Sequence, residues 1–488
     1  GVTSGAHAKS WQFLAAPTIG QSIFNAWQES GNNTPGYGTW ITGTGTGFDA
    51  SSALPALKYY NPATNLWVGE SNTSNQVNNG IGYMLFVRGD RTVTTLSGSP
   101  VPTILRSKGS LYQPNNPPSD ISVPAGLSAS VANPYASAID IAYMKDNGFF
   151  NNLNNDVVVW DPLMSGTYGL GGYQTLAAAN NYEPTAGGTA YYPSGIPSPV
   201  IQSGQAFFVR SSGLAGYVAF AESCKESGSR LVHRGAGGSR RSYFRVTLQY
   251  PDGTVADGNA VVFDPAFSQT IDANDAIKMM NNGENLGIAR GGSILSVDAR
   301  GNLKRNDTIF YSTAKLRKQS YRFAFAPKDI QETLEARLID RYLATETPIS
   351  LSDSSYITFT INDDPASGKP DRFYVVFRNK PRSQSIPVTI FGKMPSAETP
   401  TPGPQISVYP NPVVDKTTRV RFSDMPAGEY LLRWIDAGGK EVKRQSVTHA
   451  GKYAEYPLRV PQSIVPGVYN LVVDDGKSPE RTIRIVIP

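Results

Sequence analysis

Chain-breaking residues limit this sequence more than any other feature. It holds 47 glycines and 36 prolines in 488 residues, about one position in six, where an average chain has roughly one in eight. In a helix interior glycine costs about 1 kcal/mol and proline about 3 kcal/mol relative to alanine. Long helical bundles and coiled coils are therefore excluded, and apolar runs must be short and bounded by turns. No apolar stretch reaches the roughly 18 residues that a membrane-spanning helix needs. The length exceeds one ordinary core and predicts several domains. One cysteine excludes an intramolecular disulfide, and three histidines leave little material for metal or triad chemistry.

Charge divides the chain. Residues 1–225 carry 9 basic and 11 acidic side chains, residues 226–404 carry 23 and 19, and residues 405–488 carry 12 and 9. The net charge of +5 is interspersed rather than gathered, so no nucleic-acid partner is expected. The densest basic cluster, Arg230 to Arg241 with His233, is Gly/Ser-rich and reads as a solvated linker over 226–241. A second linker is read at 395–404, PSAETPTPGP, whose four prolines predict an extended, protease-accessible spacer. The chain opens without a charged segment followed by an apolar one, so no signal peptide is expected in it.

Between these breaks the fold class reads as all-β and multi-domain: β-sandwich or jelly-roll-like domains followed by a small Ig-like β-sandwich. In 1–225 the runs Tyr83–Val87, Val157–Trp160, Gln205–Val209 and Tyr217–Phe220 read as strands, separated by polar loops such as Leu111–Pro124. In 242–394, Phe244, Val246, Leu248 and Tyr250 alternate with Tyr243, Arg245, Thr247 and Gln249 and predict a half-buried strand. Further strands are read at Ala260–Phe263, Ser293–Val297, Thr308–Tyr311, Ser320–Phe325, Ala336–Asp340, Tyr356–Ile361, Arg372–Phe377 and Pro387–Phe391, with a short helix over Ala273–Met280. In 405–488 seven strands are read: Ser407–Tyr409, Thr418–Phe422, Gly428–Ile435, Lys443–Val447, Ala454–Arg459, Gly467–Val473 and Thr482–Ile487. Asp436–Lys440 and Asp474–Lys477 read as glycine-bearing hairpin turns between them.

This last region carries an ordered set of motifs. Tyr409-Pro410-Asn411-Pro412 follows the second linker. Pro426-Ala427-Gly428-Glu429-Tyr430 precedes a strand that runs into Asp436-Ala437-Gly438-Gly439-Lys440. Pro466-Gly467-Val468-Tyr469 opens the penultimate strand, and Lys477 sits in the last turn. Residues 405–488 thereby resemble the type A C-terminal sorting domain of the Bacteroidota type IX secretion system. Residues 1–394 resemble a region that precedes such domains in large adhesin or gliding-type surface proteins, through Trp27-Gln28-Glu29, Thr42–Gly47, Phe48-Asp49, Arg88-Gly89-Asp90-Arg91, Asn133-Pro134-Tyr135 and Gly204–Val209. Ala132 stands where that pattern usually has glycine.

The resemblance implies a non-enzymatic, secreted protein displayed on the cell surface at the outer membrane. Its implied partners are the type IX translocon, a PorV-type outer-membrane shuttle barrel and a sorting peptidase, with anionic lipopolysaccharide or glycans at the surface. Tyr409, Pro410, Asn411, Pro412, Gly428, Tyr430, Gly438, Gly439, Gly467, Tyr469 and Lys477 are the implied sorting-signal residues. The chain is expected to be the C-terminal part of a longer polypeptide. No cofactor, metal or catalytic residue is implied.

Several motifs have two readings. Arg88-Gly89-Asp90 is either a receptor-binding tripeptide or a charged turn with a structural ion pair. Asp272, Asn274 and Asp275 lack the full calcium loop and read as a helix cap as readily as a cation site. Lys225 beside Cys224 lowers the thiol's pKa if both are exposed, whereas a buried lone thiol is inert. Trp11, Trp27, Trp40, Trp67 and Trp160 fall in 1–225, either as core or as sugar-stacking platforms. The second functional class is therefore a set of carbohydrate-binding modules from a secreted polysaccharide-degrading protein.

Overall fold

The computed structural model describes residues 9–114, 120–162, 164, 171–186, 200–226, 241–330, 333–380, 405–414, 416–436, 440–460, 464–477 and 480–487. Most of the 226–241 linker, the 395–404 linker and the Pro387–Phe391 strand lie outside these residues. Among them the chain is all-β: 35 strands and two short α-helices, Ile23–Ala26 and Ile141–Asp146. No described helix is long and apolar enough to cross a membrane. Two compact units appear, residues 1–384 and residues 385–488.

In the first unit, one sheet orders Ser10–Leu14, Tyr83–Val87, Leu57–Asn61 and Leu66–Gly69. A second orders Ser128–Ala132, Ala206–Arg210, Asp156–Asp161 and Gly172–Ala177. Their facing sides share an aromatic seam in which Phe13 stacks on Phe208 at 4.8 Å between ring centres and Tyr60 meets Phe208 edge-on at 4.9 Å. The Leu111–Pro124 stretch is not all loop. Leu111 ends the strand Ser110–Leu111, and Asp120–Val123 pairs with Gly216–Ala219. Polar alternation in these short strands hides them from a hydrophobicity reading.

Residues 242–379 build one eleven-stranded sheet. Phe244, Val246 and Leu248 are fully buried and Tyr250 nearly so, as their alternation predicts. The sheet folds over on itself: Phe244 packs edge-on against Phe377 at 5.6 Å, although four strands separate theirs in the hydrogen-bonded order. The strands Asn285–Arg290 and Thr345–Ile349 join those read from sequence. The expected helix over Ala273–Met280 does not form; Ala276–Ile277 is a strand paired with Ser293–Arg300. Asp272 and Asn274 close a turn before it, with the Asn274 N–H donating to Asp272 Oδ1 at 2.8 Å. A turn followed by an edge pairing satisfies the backbone that a helix would otherwise have served.

The two β regions flanking 226–241 belong to one unit because polar and apolar contacts cross between them. Arg245 pairs with Glu183 at 2.5 Å. The Thr247 hydroxyl donates to the Ala186 carbonyl at 3.1 Å, and Ala177 and Ala179 pack on Val262 and Val297.

The second unit is a seven-stranded sandwich. Gln405–Val414, Thr417–Met425 and Lys452–Arg459 form one sheet; Glu441–His449, Gly428–Ile435, Gly467–Asp474 and Arg481–Ile487 form the other. Val420 and Phe422 point inward to meet Leu432, Trp434, Leu471 and Ile485. Arg419 and Arg421, one residue out of step, reach Glu455 on the exposed side. All seven strands overlap the seven read from the sequence, because strict alternation sets a period of two.

Candidate functional site

The residues that the resemblance implies as a sorting signal separate into those that hold the sandwich and those whose side chains are exposed. Proline has no N–H, so Pro410 and Pro412 cannot donate to a ladder. The first strand accordingly loses register with its neighbour between Tyr409 and Val414. Asn411, inside this irregular stretch, bonds instead to the last strand of the other sheet. Its Nδ2 donates to the Arg484 carbonyl at 2.7 Å, and its Oδ1 accepts from the Val486 N–H at 2.9 Å. One side-chain amide thus ties the first strand to the last through two backbone groups and covers an edge of the last strand. Pro410 and Pro412 flank this amide in the chain.

Tyr430 and Tyr469 are both buried and use the same device. Tyr430 donates its hydroxyl to the Pro426 carbonyl and Tyr469 donates to Val465, each four residues upstream and each at 2.9 Å. Such tyrosine corners tie a strand start to its incoming loop in Ig-like sandwiches. Gly428 and Gly467 lie two residues before each tyrosine. Lys477 is exposed, in a turn where the Gly476 and Lys477 N–H groups donate to Asp474 and Asp475. Gly438 and Gly439 lie outside the described residues. Among the described side chains of that implied set, Asn411 and Lys477 are exposed.

In the first unit the resemblance motifs converge on a polar core. Asp49 and Arg91 form a buried ion pair at 2.7 Å, and Asp49 also accepts from the Ile41 N–H. Glu29, almost wholly buried, receives Arg106 at 2.5 Å and Lys108 at 3.4 Å. The Arg88-Gly89-Asp90 tripeptide is buried, which excludes a receptor contact through it. Asp90 accepts from the Gly36 N–H at 2.6 Å and from both donors of Thr92. Burial pushes its carboxyl up, but those donors outweigh burial and hold it below the usual carboxylate range. Gly89 has φ +136°, and a Cβ there would lie 2.8 Å from Val93, so only glycine fits. Asn133 caps its own loop, its Nδ2 donating to the carbonyls of Ser137, Ile201 and Gln202.

The five tryptophans separate as well. Trp27 and Trp160 are core residues. Trp11 and Trp40 are half-buried beneath Lys58 and Arg91. Trp67 lines a cavity of about 490 Å³, open to the surface. Tyr60, Asn65 and Trp67 come from the hairpin of Leu57–Asn61 and Leu66–Gly69. Asp156, Tyr173, Phe208 and Arg210 come from the second sheet, and residues 277–280 with Asn282 close the far side. Tyr60 donates to Asn65 Oδ1 at 2.5 Å, and the Trp67 indole N–H donates to the Tyr173 hydroxyl at 3.0 Å.

Asp156 is the unusual group of this cavity. It is 6% exposed, and its Oδ1 is sealed from water with no hydrogen-bond donor. Burial pushes its carboxyl up to about 7, against an opposing pull from Lys145 and Arg210. Lys278, at the same cavity, is already committed to Asp257 at 2.7 Å. Of these residues the sequence singles out Trp67 as a sugar-stacking candidate and places Phe208 in a strand and a resemblance motif; that they share one cavity is set by long-range packing.

The remaining candidates are settled by burial. Cys224 is buried, and burial pushes its thiol up, opposite to the activation that Lys225 would supply. Asp275 accepts from the Asp272 and Ala299 N–H groups and meets Arg290, so peptide donors and a guanidinium fill its coordination. Among the described residues no group of three His, Cys, Asp or Glu side chains is placed to hold a metal.

No protein-family model matches this chain, and no curated protein does. Among solved structures, a β-glucuronidase from Ruminococcus gnavus bound to C6-substituted uronic isofagomine aligns at TM-score 0.13 and 11% identity, over 35% of this chain and 36% of that one. The same enzyme bound to uronic isofagomine aligns at TM-score 0.12 and 9% identity, over 43% and 44%. The chain thus spans under half the length of these enzymes, and overlap of this extent carries no argument about function.

Two substitutions test these assignments. Asn411→Ala removes both bridging bonds and is expected to cost about 1–2 kcal/mol. It should speed exchange of the Val486 amide; unchanged exchange contradicts the bridging role. Asp156 holds its proton more tightly when folded, so the folded state carries more protons between the ordinary carboxylate range and about pH 7. Stability therefore falls as pH rises through that window. Asp156→Asn lacks this slope. Urea unfolding should show the variant gaining on wild type, by on the order of 2–3 kcal/mol between about pH 5 and about pH 8. Parallel slopes contradict a raised Asp156.

Proposed function

We propose that this chain is a secreted cell-surface cargo of the type IX secretion system of Bacteroidota, with residues 405–488 as its export signal. The observation that carries the reading is the order of motifs in one seven-stranded Ig-like sandwich. The Tyr409–Pro412 opening, the paired Gly428/Tyr430 and Gly467/Tyr469 corners, and the Lys477 turn follow one another as in type A sorting domains. Residues 1–384 are the displayed part, and the proline-rich 395–404 stretch is the site at which a sorting peptidase separates the two.

The chemistry gives this reading a physical form. Tyr430 and Tyr469 spend their hydroxyls inside the sandwich. A translocon and a PorV-type shuttle barrel therefore read the folded domain through its surface, with the exposed Lys477 turn as one contact. The motif tyrosines act by fixing the shape that is read. Attachment of the cut end to anionic lipopolysaccharide then anchors the displayed part to the outer membrane.

The test is export of the full chain behind a periplasmic leader in a Bacteroidota cell with an active type IX system. With residues 405–488 present the protein is expected at the cell surface; without them it should stay in the periplasm. Equal surface delivery of both versions would sink the proposal.

A further inference from the structure

We infer that the cavity walled by Tyr60, Trp67, Tyr173 and Phe208 is a binding site for a short, neutral saccharide. The inference stands apart from the export reading, since it concerns only residues 1–384. Its volume, about 490 Å³, lies in the range of roughly 300–1,000 Å³ that small-ligand sites occupy.

The lining selects the ligand by elimination. Four rings on one side offer apolar faces and edges, so a ligand must present an apolar surface to them. Asp156, Arg210 and Asn65 on the other side require hydrogen bonds. Asp156 Oδ1 is sealed and without a donor, so a ligand meets this carboxyl through Oδ2. The Arg210 guanidinium has five N–H donors, and its one side-chain hydrogen bond among the described residues, to Ser128, is 3.5 Å long. The Asn65 carbonyl oxygen is taken by Tyr60, which leaves its amide donors free.

A wholly apolar ligand would leave Asp156 and Arg210 desolvated without partners, at a cost of about 1–3 kcal/mol or more for each group. A cation would meet Arg210, and Lys145 behind Asp156 adds to that repulsion. Above about pH 7, where Asp156 is ionised, an anion would pair with Arg210 but set its charge beside the Asp156 carboxylate, so the comparison of probes is made at pH 8. A pyranose ring satisfies all of these demands together. Its C–H face stacks on an aromatic ring, and its edge hydroxyls both donate to Asp156 and accept from Arg210 and Asn65.

The test uses the full chain and titration calorimetry with six probes: cellotetraose, laminaritetraose, mannotetraose, chitotetraose, trigalacturonate and trilysine. At least one neutral tetrasaccharide should bind, and trigalacturonate and trilysine should bind more weakly. Trp67→Ala and Arg210→Met should each weaken that binding at least tenfold. Trp40→Phe, away from the cavity, should leave it unchanged. Trp67 packs on Phe13 and Phe208, so if Trp67→Ala fails to fold, the half-exposed Arg210 decides. No binding of any neutral probe overturns the assignment. So does binding that survives Arg210→Met, or a preference for the acidic or the basic probe.

Discussion

A carboxylate taken out of water must be met by a cation or by peptide donors, and this requirement decides which parts of the chain come together. Asp49 is met by Arg91, 42 residues away, and Asp340 by Arg372, 32 residues away. Asp257 is met by Lys278 with both side chains almost fully buried. Glu284 accepts from Arg317, Tyr250 and Tyr321 at 2.7–2.9 Å, and Asp298 lies between Arg290 and Arg300. Removing one member of such a buried pair typically costs about 3–5 kcal/mol. These pairs reject every register that would separate their partners. Asp156 departs from the pattern, since its Oδ1 is buried without a donor. Departures from local consistency concentrate at functional sites, and this one sits where the aromatic wall opens.

Alternation made much of the fold legible. Phe244 to Tyr250 and the seven strands of 405–488 follow a period of two that fixes both strand and face. Two kinds of element escaped. Asn285–Arg290, NLGIAR, and Ser10–Leu14, SWQFL, are short and carry buried polar residues bonded locally: Gln12 donates to Ser10, and Asn285 donates to the Asn281 and Gly283 carbonyls. Ala273–Met280 carries helix-capping residues at its start, but Asp275 is drawn instead to the Ala299 N–H and Arg290. The joining of the regions before 226 and after 241 into one unit was also hidden. It rests on pairs such as Arg245–Glu183, 62 residues apart, that no local pattern announces.

The same contrast applies to function. The 405–488 motifs are contiguous, so they could be read directly, and the sandwich then assigns several of them to holding its shape. Asn411 ties the proline-bearing first strand to the last one, and Tyr430 and Tyr469 brace two strand starts. The cavity instead gathers residues from positions 60 to 282, and only Trp67 among them reads from sequence as a ligand-facing ring. The proposed cargo reading joins both kinds of construction: an export handle whose form is fixed, and a displayed part whose proposed binding site is built by packing.

Recovery of partners from outer-membrane extracts of a Bacteroidota cell, with and without residues 405–488, tests this division most directly. Retention of the shuttle barrel or the translocon only when the tail is present is the predicted result. Equal recovery by both versions, or by neither under conditions where a known sorting domain succeeds, would contradict the account.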